Sequence, residues 1–312
     1  MYEGKSVAVV VPAYNEEALV ASTVAGIPDF VDRIFVVDDG SEDGTVARAQ
    51  AADGRVEVLD HERNQGVGAA TVTGYRRSLA EGIDVTCVMN ADGQMDPDDL
   101  ETLVRAVATG ECDYAKANRL FTAQAWNLIP RTRYLGNALL SFLTKIASGY
   151  WHIADSQSGY TAINQESLRL LDHDRLYSRY GFPNDMLVHL NVWNRRVRDY
   201  PSRPIYGVGE RSGIRLRRVV PTISWLLVKG FFWRLKEKYV IRDFHPLVLF
   251  YTLGFLFFGV GVLLGLVYTG LRIAGNPIPA ATAVLIALLV ISGLQFTLFA
   301  MWFDMESNKE LK

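Results

Sequence analysis

Two segments near the end of the chain, Leu247–Gly270 and Ala280–Phe303, each run for 24 residues without a charged side chain. A helix needs about 20 such residues to cross the roughly 30 Å hydrocarbon core of a bilayer. Neither segment has a polar face to turn toward water, which argues against a buried hairpin of a soluble protein. We therefore predict two membrane-spanning helices, joined by a short turn at Arg272–Pro279, with both chain ends on one side.

The distribution of charge predicts which side that is. Residues 195–242 contain 13 Lys and Arg against three Asp and Glu, and basic residues beside a span favour the cytoplasm. The apolar run near the N-terminus covers only Val7–Val11 and ends at a proline, too short for a signal-peptide core. The sequence predicts a multi-pass membrane protein whose large N-terminal domain and both termini are cytoplasmic.

Composition limits the partners of that domain. The two cysteines lack metal-ligand spacing and suit a reducing compartment, and a formal charge of −2 gives no sign of nucleic-acid binding. Gly261 and Gly265 have the G-x-x-x-G spacing that lets two spans, or two protomers of a homo-oligomer, approach closely.

Two further stretches have the composition of helices on a membrane surface. Val219–Leu235 is apolar and aromatic, but Lys229 interrupts it and basic residues flank it, which favours an interfacial helix. A third span is the alternative, and it would put the domain and the C-terminus on opposite sides. Trp126–Ile146 fits an interfacial helix and a core helix equally well. We predict a domain at 1–215, a basic interfacial helix at 216–243 and an anchor at 244–312.

Short β-branched runs alternate with helix-length stretches in the first half of the chain, which predicts an α/β fold with a mainly parallel, Rossmann-like sheet covered by helices on both faces. The predicted strands are Val7–Val11, Ile34–Val37, Val56–Leu59 and Val85–Met89. The predicted helices are Glu16–Ala25, Gly44–Ala52, Gly66–Glu81 and Asp98–Thr109.

Polar residues follow the predicted strands, where an open α/β sheet binds its ligands. The first strand runs into P-A-Y-N-E-E and the second into D-D-G-S, so the G-x-G-x-x-G of a dinucleotide dehydrogenase is missing. Capping of the next helix by Asp38, Asp39 and Ser41 is the alternative; it accounts for Ser41 or Asp43 and leaves Asp39 without a role. A carboxylate beside a strand end can accept the ring N–H of a nucleobase.

The fourth strand leads into Asn90-Ala91-Asp92-Gly93-Gln94, a cluster of oxygen ligands suited to Mg²⁺ or Mn²⁺ on a diphosphate. Asp92 and Gln94 are two residues apart and can point the same way, so we expect both to hold the metal. Asp98 and Asp99 instead begin the helix after Pro97.

Four motifs in this order carry a family resemblance: PAYNEE, VVDDGSEDGT, RNQGVGAA and NADGQMDPDDL. Together with Asn118-Arg119, Arg133-x-x-Gly136-Asn137 and the D-S-Q-S-G-Y segment at 155–160, they resemble the family 2 glycosyltransferases of GT-A fold, within them the dolichyl-phosphate mannose synthase group. The resemblance covers roughly residues 5–215, and the two C-terminal spans match several membrane-anchored members.

The resemblance implies a set of site residues. The nucleotide pocket would be lined by Pro12, Tyr14, Glu16, Val37, Asp39, Asn90 and Ala91, and the metal would be held by Asp92, Gln94 and Asn90. Asn90 departs from the family, which has an aspartate there; the amide keeps an oxygen ligand and loses a charge. Arg119 would reach the phosphates from the opposite wall.

Three expectations concern the acceptor side of the site. Asp185 stands where relatives place an acidic residue near the acceptor, with a helix N-cap as the alternative. Arg211 and Ser212 partly resemble the family's late basic phosphate loop, or belong to a basic face over anionic lipid. Arg133 is expected to bind the acceptor phosphate.

These features predict an inverting transfer of a hexose from a nucleotide-sugar to a polyprenyl or dolichyl phosphate, making a lipid-linked sugar for glycosylation. A UDP-sugar is favoured over GDP-mannose. The attacking phosphate oxygen is already anionic, so no strong general base is required. A processive synthase is disfavoured because Q-x-x-R-W and additional spans are missing. A non-catalytic nucleotide-sugar binder, and a transferase to a non-lipid acceptor with Asp185 as base, stay as alternatives.

Overall fold

The computed structural model describes residues 1–120, 131–203, 205 and 216–312; for 131–135 and 216–218 it describes the helical backbone alone. The chain divides into two compact units. Unit 1 comprises Met1–Phe232 and Glu310–Lys312, and unit 2 comprises Trp233–Lys309.

Unit 1 is built on a seven-stranded sheet in the order β3-β2-β1-β4-β6-β5-β7. The strands are β1 (Val7–Ala13), β2 (Arg33–Asp38), β3 (Val56–Asp60), β4 (Val85–Val88), β5 (Tyr114–Asn118), β6 (Thr161–Asn164) and β7 (Val197–Pro201). Strands β1 to β4 pair in parallel, so their carboxyl ends share one edge of the sheet. Strand β6 runs antiparallel to both β4 and β5, and β7 is parallel to β5.

The helices of unit 1 connect and cover these strands. They are α1 (Val20–Ala25), α2 (Thr45–Ala52), α3 (Val67–Ala80), α4 (Leu100–Ala108), α5 (Arg131–Ser148), α6 (Gln165–Leu170) and α7 (Phe182–Val192), followed by most of α8 (Leu216–Lys236).

The central strand β1 shows why the sheet is buried on both faces. Val7, Val9 and Val11 belong to one apolar cluster, with α1 and α4, while Ala8 and Val10 belong to the other, with α3 and α7. All five residues are 0% exposed. Successive side chains of a strand alternate between its faces, and each buried valine contributes roughly 1.5–3 kcal/mol relative to an exposed one. A continuous apolar run is therefore what this position requires.

Unit 2 contains two long helices, α9 (Leu247–Ile273) and α10 (Ala280–Ser307), both long and apolar enough to cross a membrane. They approach closely at small residues: an added methyl group at Gly261 would lie 2.9 Å from Val290, and one at Gly293 would lie 2.3 Å from the Phe258 backbone. Gly261 and Gly265 thus face the second helix of the same chain. Elsewhere most of their apolar side chains are exposed, which suits hydrocarbon surroundings.

A buried polar cluster joins the end of α8 to the end of α10 within unit 2. Arg234 forms two hydrogen bonds to the Asp304 carboxylate, at 2.8 and 2.9 Å, and both side chains are 0% exposed. Tyr239, in a π-helical turn at Glu237–Arg242, donates to Asp304 Oδ1 at 2.7 Å, and Lys238 donates to Asn308 Oδ1 at 2.7 Å.

The α/β prediction is confirmed, and the four predicted strands correspond to β1 to β4, of which β4 ends one residue earlier than predicted. Two predicted helices begin later than expected: α1 begins at Val20, and α4 at Leu100 after a 3-10 turn at Pro97–Asp99. The predicted interfacial segment is helical as α8; it buries Ile223 and Leu227 and exposes Trp225 and Phe232. Its placement on a membrane, and the division at 215 and 243, stay predictions.

Candidate active site

The loop after β1 is tied to the loop after β2 by side chains near the carboxyl edge of the sheet. The Asn15 amide donates to Ser41 Oγ, and the Glu42 amide donates to Asn15 Oδ1, both at 2.9 Å. The Glu16 amide donates to Thr45 Oγ1 at 2.9 Å. Pro12, near the end of β1, is buried, and Tyr14, in the loop, is 46% exposed. The predicted pocket residues of β1 therefore lie on a well-fixed turn.

Asp39 has a carboxylate that is bound within the protein. One oxygen accepts the Gln65 amide at 2.8 Å, the other accepts the Gly66 amide at 2.7 Å, and His61 Nδ1 lies 2.8 Å from the first oxygen. The second ring nitrogen of His61, Nε2, lies 2.9 Å from Thr73 Oγ1. The carboxylate of Asp39 thus anchors the loop before α3.

Asp38 has the opposite arrangement. Its Oδ2 accepts the Ser41 amide at 2.9 Å, while its Oδ1 is buried and has no hydrogen-bond partner in the described part of the chain. Such an oxygen carries a desolvation cost unless a ligand satisfies it. Sequence reasoning assigned the nucleobase contact to Asp39 and gave Asp38 no ligand role, because the direction of each carboxylate depends on how the strand end turns.

The R-N-Q-G-V-G motif leads into α3, and its two glycines allow the chain to pack closely against residues 177 and 178. The amides of Gly68 and Ala69 both donate to the Ser178 carbonyl, at 2.9 and 3.1 Å. A side chain at Gly66 would lie 2.5 Å from that oxygen, and one at Gly68 would lie 2.3 Å from the Tyr177 carbonyl. The helix N-terminus is thus capped by the protein backbone, so a phosphate is not required there.

The predicted metal residues lie in a turn beyond β4, which ends at Val88. The Gln94 amide donates to Asp92 Oδ1 at 3.1 Å, across Gly93 with φ +68°. The Ala91 amide donates to the Pro12 carbonyl at 3.3 Å, which joins this turn to the end of β1. Asp98 and Asp99 belong to the helical turn after Pro97, capped by Asp96, as expected.

The donor set of this turn fits a divalent cation that shares its shell with a substrate. Asn90, Asp92 and Gln94 supply one carboxylate and two amide oxygens, the hard ligands that Mg²⁺ and Mn²⁺ prefer. Among the described residues no three His, Cys, Asp or Glu side chains converge on one point. A metal here would need further oxygens from a diphosphate and water.

Arg119 follows β5 and is held by a buried carboxylate. Its Nε lies 2.8 Å from Asp155 Oδ2 and its Nη2 lies 3.2 Å from Oδ1, while Asp155 is 0% exposed. Burial alone would raise the pKa of Asp155, but the Arg119 and Lys116 cations outweigh it and lower that pKa. The Arg119 side chain is 27% exposed, so part of it can still meet an anion.

A cleft of about 100 Å³ opens beside Asn90. Its walls combine apolar side chains with a few polar groups: Val67, Thr71, Val88, Tyr114, Gln157, Gly159, Thr161, Tyr180, Phe182 and Pro183. The Gln157 amide donates to Asn184 Oδ1 at 2.6 Å, which also accepts Thr144 Oγ1 at 3.0 Å. These bonds join the loop after Asp155 to α5 and α7.

Asp185 lies in the first turn of α7, whose N-cap is Gly181, so the N-cap alternative is wrong. The carboxylate is 6% exposed and accepts the Tyr177 amide at 2.9 Å. Burial raises its pKa to about 6, and burial lowers the pKa of the adjacent His189 to about 4. Asp185 therefore faces the protein interior more than solvent.

The remaining predicted residues are not brought into this geometry. Arg211 and Ser212 lie outside the described residues, as do Trp126 and the rest of the segment at 121–130. Arg133 lies in the first turns of α5, where only the backbone is described.

Val37 is buried in β2. Asp155 and Gln157 belong to the D-S-Q-S-G-Y motif but received no role, because the partners that place them in the site, Arg119 and Asn184, are 36 and 27 residues away in sequence.

Comparison with known proteins gives a family match. The model described as "Glycosyl transferase family 2" matches residues 8–171. The UDP-N-acetylglucosamine–dolichyl-phosphate N-acetylglucosaminyltransferase of Methanococcus voltae is 29% identical over 218 residues, covering 65% of this chain and 86% of that protein. The polyprenol monophosphomannose synthase of Mycolicibacterium smegmatis is 31% identical over 232 residues, covering 71% of this chain and 87% of that protein.

A solved structure shares the fold. Glucosyl-3-phosphoglycerate synthase from Mycobacterium tuberculosis, in complex with Mn²⁺, UDP and glucosyl-3-phosphoglycerate, superposes with a TM-score of 0.55 at 24% identity. The match covers 74% of this chain and 80% of that one.

Proposed function

The chain belongs to glycosyl transferase family 2, and we propose that it transfers a sugar from a nucleotide-sugar to a polyprenyl or dolichyl phosphate at a membrane. The observation that carries this proposal is the shared edge of the sheet, where the ends of β1, β2 and β4 bring three acidic loops together. The Methanococcus voltae and Mycolicibacterium smegmatis relatives are named for such acceptors. The two membrane-length helices supply a reason for a lipid acceptor.

The nucleoside would lie over the ends of β1 and β2. Asp38 is proposed as the acceptor for a base N–H, because its Oδ1 has no hydrogen-bond partner among the described residues, whereas both oxygens of Asp39 are bound by the protein. Asp39 would then act by holding the loop at Gln65 and Gly66. Tyr14 and Glu16 lie on the adjoining turn and would contact the ring and ribose.

The diphosphate would lie between the turn at Asp92 and the guanidinium of Arg119. A divalent cation held by Asn90, Asp92 and Gln94 would neutralise the departing diphosphate when bound. Arg119 is kept in place by the bidentate bond to Asp155, so little reorganisation is needed when charge develops on the leaving group. The sugar would occupy the cleft beside Asn90.

The acceptor phosphate would attack the anomeric carbon in one displacement, inverting its configuration. Its oxygen is anionic before it arrives, so proton removal is unnecessary. Arg133, Arg211 and Ser212 are proposed to meet this phosphate. Membrane attachment would raise the local concentration of the insoluble acceptor. We propose that the domain and both termini are cytoplasmic, in keeping with the basic residues at 195–242.

Transfer to a non-lipid acceptor is the second candidate. The Mycobacterium tuberculosis neighbour is named for a phosphoglycerate acceptor, and a hydroxyl acceptor needs a general base. A pKa of about 6 would suit Asp185 to that task, but its 6% exposure and its bond to the Tyr177 amide do not. The lipid phosphate is therefore favoured.

A labelled-sugar transfer assay tests the proposal. The full-length chain in liposomes, with Mn²⁺, is given UDP- and GDP-linked sugars with polyprenyl phosphate, 3-phosphoglycerate or a hexose as acceptor. We expect a lipid-extractable product, with a UDP-sugar as the better donor. A product that forms only on the soluble acceptors would overturn the lipid assignment, and binding without turnover would favour a non-catalytic binder.

A further inference from the structure

Lys116 is a buried ammonium in the middle of β5. Its side chain is 0% exposed, whereas lysine heads almost always reach water. The Nζ donates to the backbone carbonyl of Ser158. Among the described residues no carboxylate lies within ion-pair distance of it. A charged group with so few direct partners is an unusual choice for a strand interior.

The surroundings of Lys116 are polar and charged. It pairs in register with Thr161 on β6 and with Asp199 on β7, so the three side chains point to the same face of the sheet. Thr161 lines the cleft. The charged groups that act on the ammonium are Asp155, Asp199 and Arg119.

Asp199 is also incompletely paired. Its Oδ2 accepts the Ala154 amide at 2.6 Å and Asn118 Nδ2 at 3.3 Å. Its Oδ1 is buried without a hydrogen-bond partner in the described part of the chain.

The carbonyl that Lys116 holds belongs to the loop at 155–159, which has a different task at each end. At its start Asp155 anchors Arg119. At its end Gly159 faces Asn90, since an added methyl group would lie 3.8 Å from the Asn90 amide. Gln157, between them, lines the cleft. The bond from Lys116 to Ser158 thus fixes the middle of the loop that forms this wall.

Stability alone does not explain a lysine at this position. Burial lowers the pKa of Lys116 to about 8, while Asp155 and Asp199 act in the opposite sense. A lowered pKa means that folding disfavours the charged form, so below pH 8 the ammonium costs stability rather than adding it. An apolar chain of similar length would pack here with less penalty.

We propose that Lys116 is a positioning residue whose protonated ammonium holds the loop at 155–159 in the place where it forms a wall of the sugar-binding cleft. This inference rests on the proposed function, because it takes the cleft to be the site of the donor sugar. The nucleoside is proposed to lie elsewhere, over the ends of β1 and β2, so its binding is expected to be independent of Lys116.

The test compares nucleotide with nucleotide-sugar binding in the full-length protein. Calorimetry with UDP and UDP-glucose, and with GDP and GDP-mannose as a second pair, measures how much the sugar adds to affinity. In Lys116→Met we expect nucleotide affinity within about twofold of the wild type and nucleotide-sugar affinity roughly tenfold weaker. The melting temperature should be unchanged or higher. Lys5→Met, which removes a half-exposed ammonium near Asp84, is the matched control and should change neither affinity.

A pH series separates positioning from packing. The sugar's share of the affinity should fall as pH rises through about 8, where Lys116 loses its proton, and this fall should be missing in Lys116→Met. Asp199→Asn should move the fall to lower pH, because a carboxylate that favours the ammonium is lost; this arm decides the matter if Lys116→Met does not fold. The same fall in Lys116→Met, or unchanged nucleotide-sugar affinity, would overturn the inference.

The two proposals fail in different ways. Nucleotide-sugar binding without any lipid-linked product would remove the proposed acceptor and leave the Lys116 result intact. Absence of all nucleotide-sugar binding in the wild type would overturn both.

Discussion

Asp38 and Asp39 stand side by side at the end of β2, yet their carboxylates meet different surroundings. Both oxygens of Asp39 accept backbone amides, while Asp38 keeps one buried oxygen without a partner among the described residues. A carboxylate whose oxygens are both hydrogen-bonded within the protein supports the fold, and one with an oxygen that lacks a hydrogen-bond partner suits a ligand.

This contrast predicts opposite phenotypes for two conservative changes. Asp38→Asn should weaken nucleotide binding by roughly 10- to 100-fold, since the loss of a charge-assisted hydrogen bond costs about 1.5–3 kcal/mol. The melting temperature of Asp38→Asn should be unchanged. Asp39→Asn places an amide against two donors and should lower the free energy of unfolding by about 1–3 kcal/mol. Calorimetry and thermal melts of both variants measure this, and a stable Asp39→Asn that binds no nucleotide would reverse the assignment.

The metal turn carries one carboxylate, Asp92, between two amides. If that carboxylate holds a cation on the diphosphate, Asp92→Ala should lower kcat by roughly 100- to 1,000-fold with the domain still folded. Chelation with EDTA should have a similar effect. Asn90→Asp restores a second carboxylate and should lower the Mn²⁺ concentration needed for half-maximal rate. Full activity in EDTA would exclude a metal role for the turn.

At the scale of elements, α3 and β1 approach closely where Gly74 meets Val10. A methyl group at Gly74 would lie 2.2 Å from Val10 Cγ1, a separation that the packed core cannot accept unchanged. Helix propensity favours alanine by about 1 kcal/mol, whereas overpacking costs about 1–3 kcal/mol. Gly74→Ala should therefore be destabilising on balance, and Val10→Ala should partly rescue it. Denaturant unfolding decides this; a Gly74→Ala variant more stable than wild type would show that the interface relaxes freely.

Strands β1, β2 and β4 were predictable because each is a short, largely β-branched run that is buried on both faces of the sheet. Strand β3 lies at the edge of the sheet and is only half-buried, but it has the same short apolar pattern. Strands β5 and β7 were not predicted, since Lys116, Asn118 and Asp199 give them a polar composition that resembles a loop. Their place in the sheet comes from pairing with distant segments.

Strand ends could be located from the sequence in the same way, and they carry the candidate site. The direction of each carboxylate could not: His61 lies 22 residues from Asp39 and Asp155 lies 36 residues from Arg119. Such pairs form only when the chain folds. A motif therefore identifies the residue, but it does not predict which of its side-chain atoms is left without a partner in the protein.

At the scale of the whole molecule, the proposed function requires a water-soluble donor to meet a membrane-bound acceptor, and the chain has a separate part for each. The strand-end site belongs to unit 1, and the two membrane-length helices belong to unit 2. The buried cluster in unit 2 holds the end of α8 against the end of α10. Because Arg234 and Asp304 are both 0% exposed, removal of one partner leaves a charge without compensation.

The last prediction uses that cluster to separate donor binding from access to the membrane-bound acceptor. Asp304→Ala should destabilise unit 2 by about 3–5 kcal/mol, since the Arg234 guanidinium stays buried without its carboxylate. Replacing both partners with apolar residues, as in Arg234→Met with Asp304→Leu, should recover most of this stability. In liposomes Asp304→Ala should transfer poorly to long-chain polyprenyl phosphate but keep its nucleotide affinity and its rate with a short, water-soluble acceptor. Glu306→Ala is the control: Glu306 lies two residues after Asp304 in the same helix and forms an exposed ion pair with Lys309. Loss of this pair should change the rate little. Equal losses with short and long acceptors would show that the cluster supports the catalytic site itself and not the meeting with the membrane lipid.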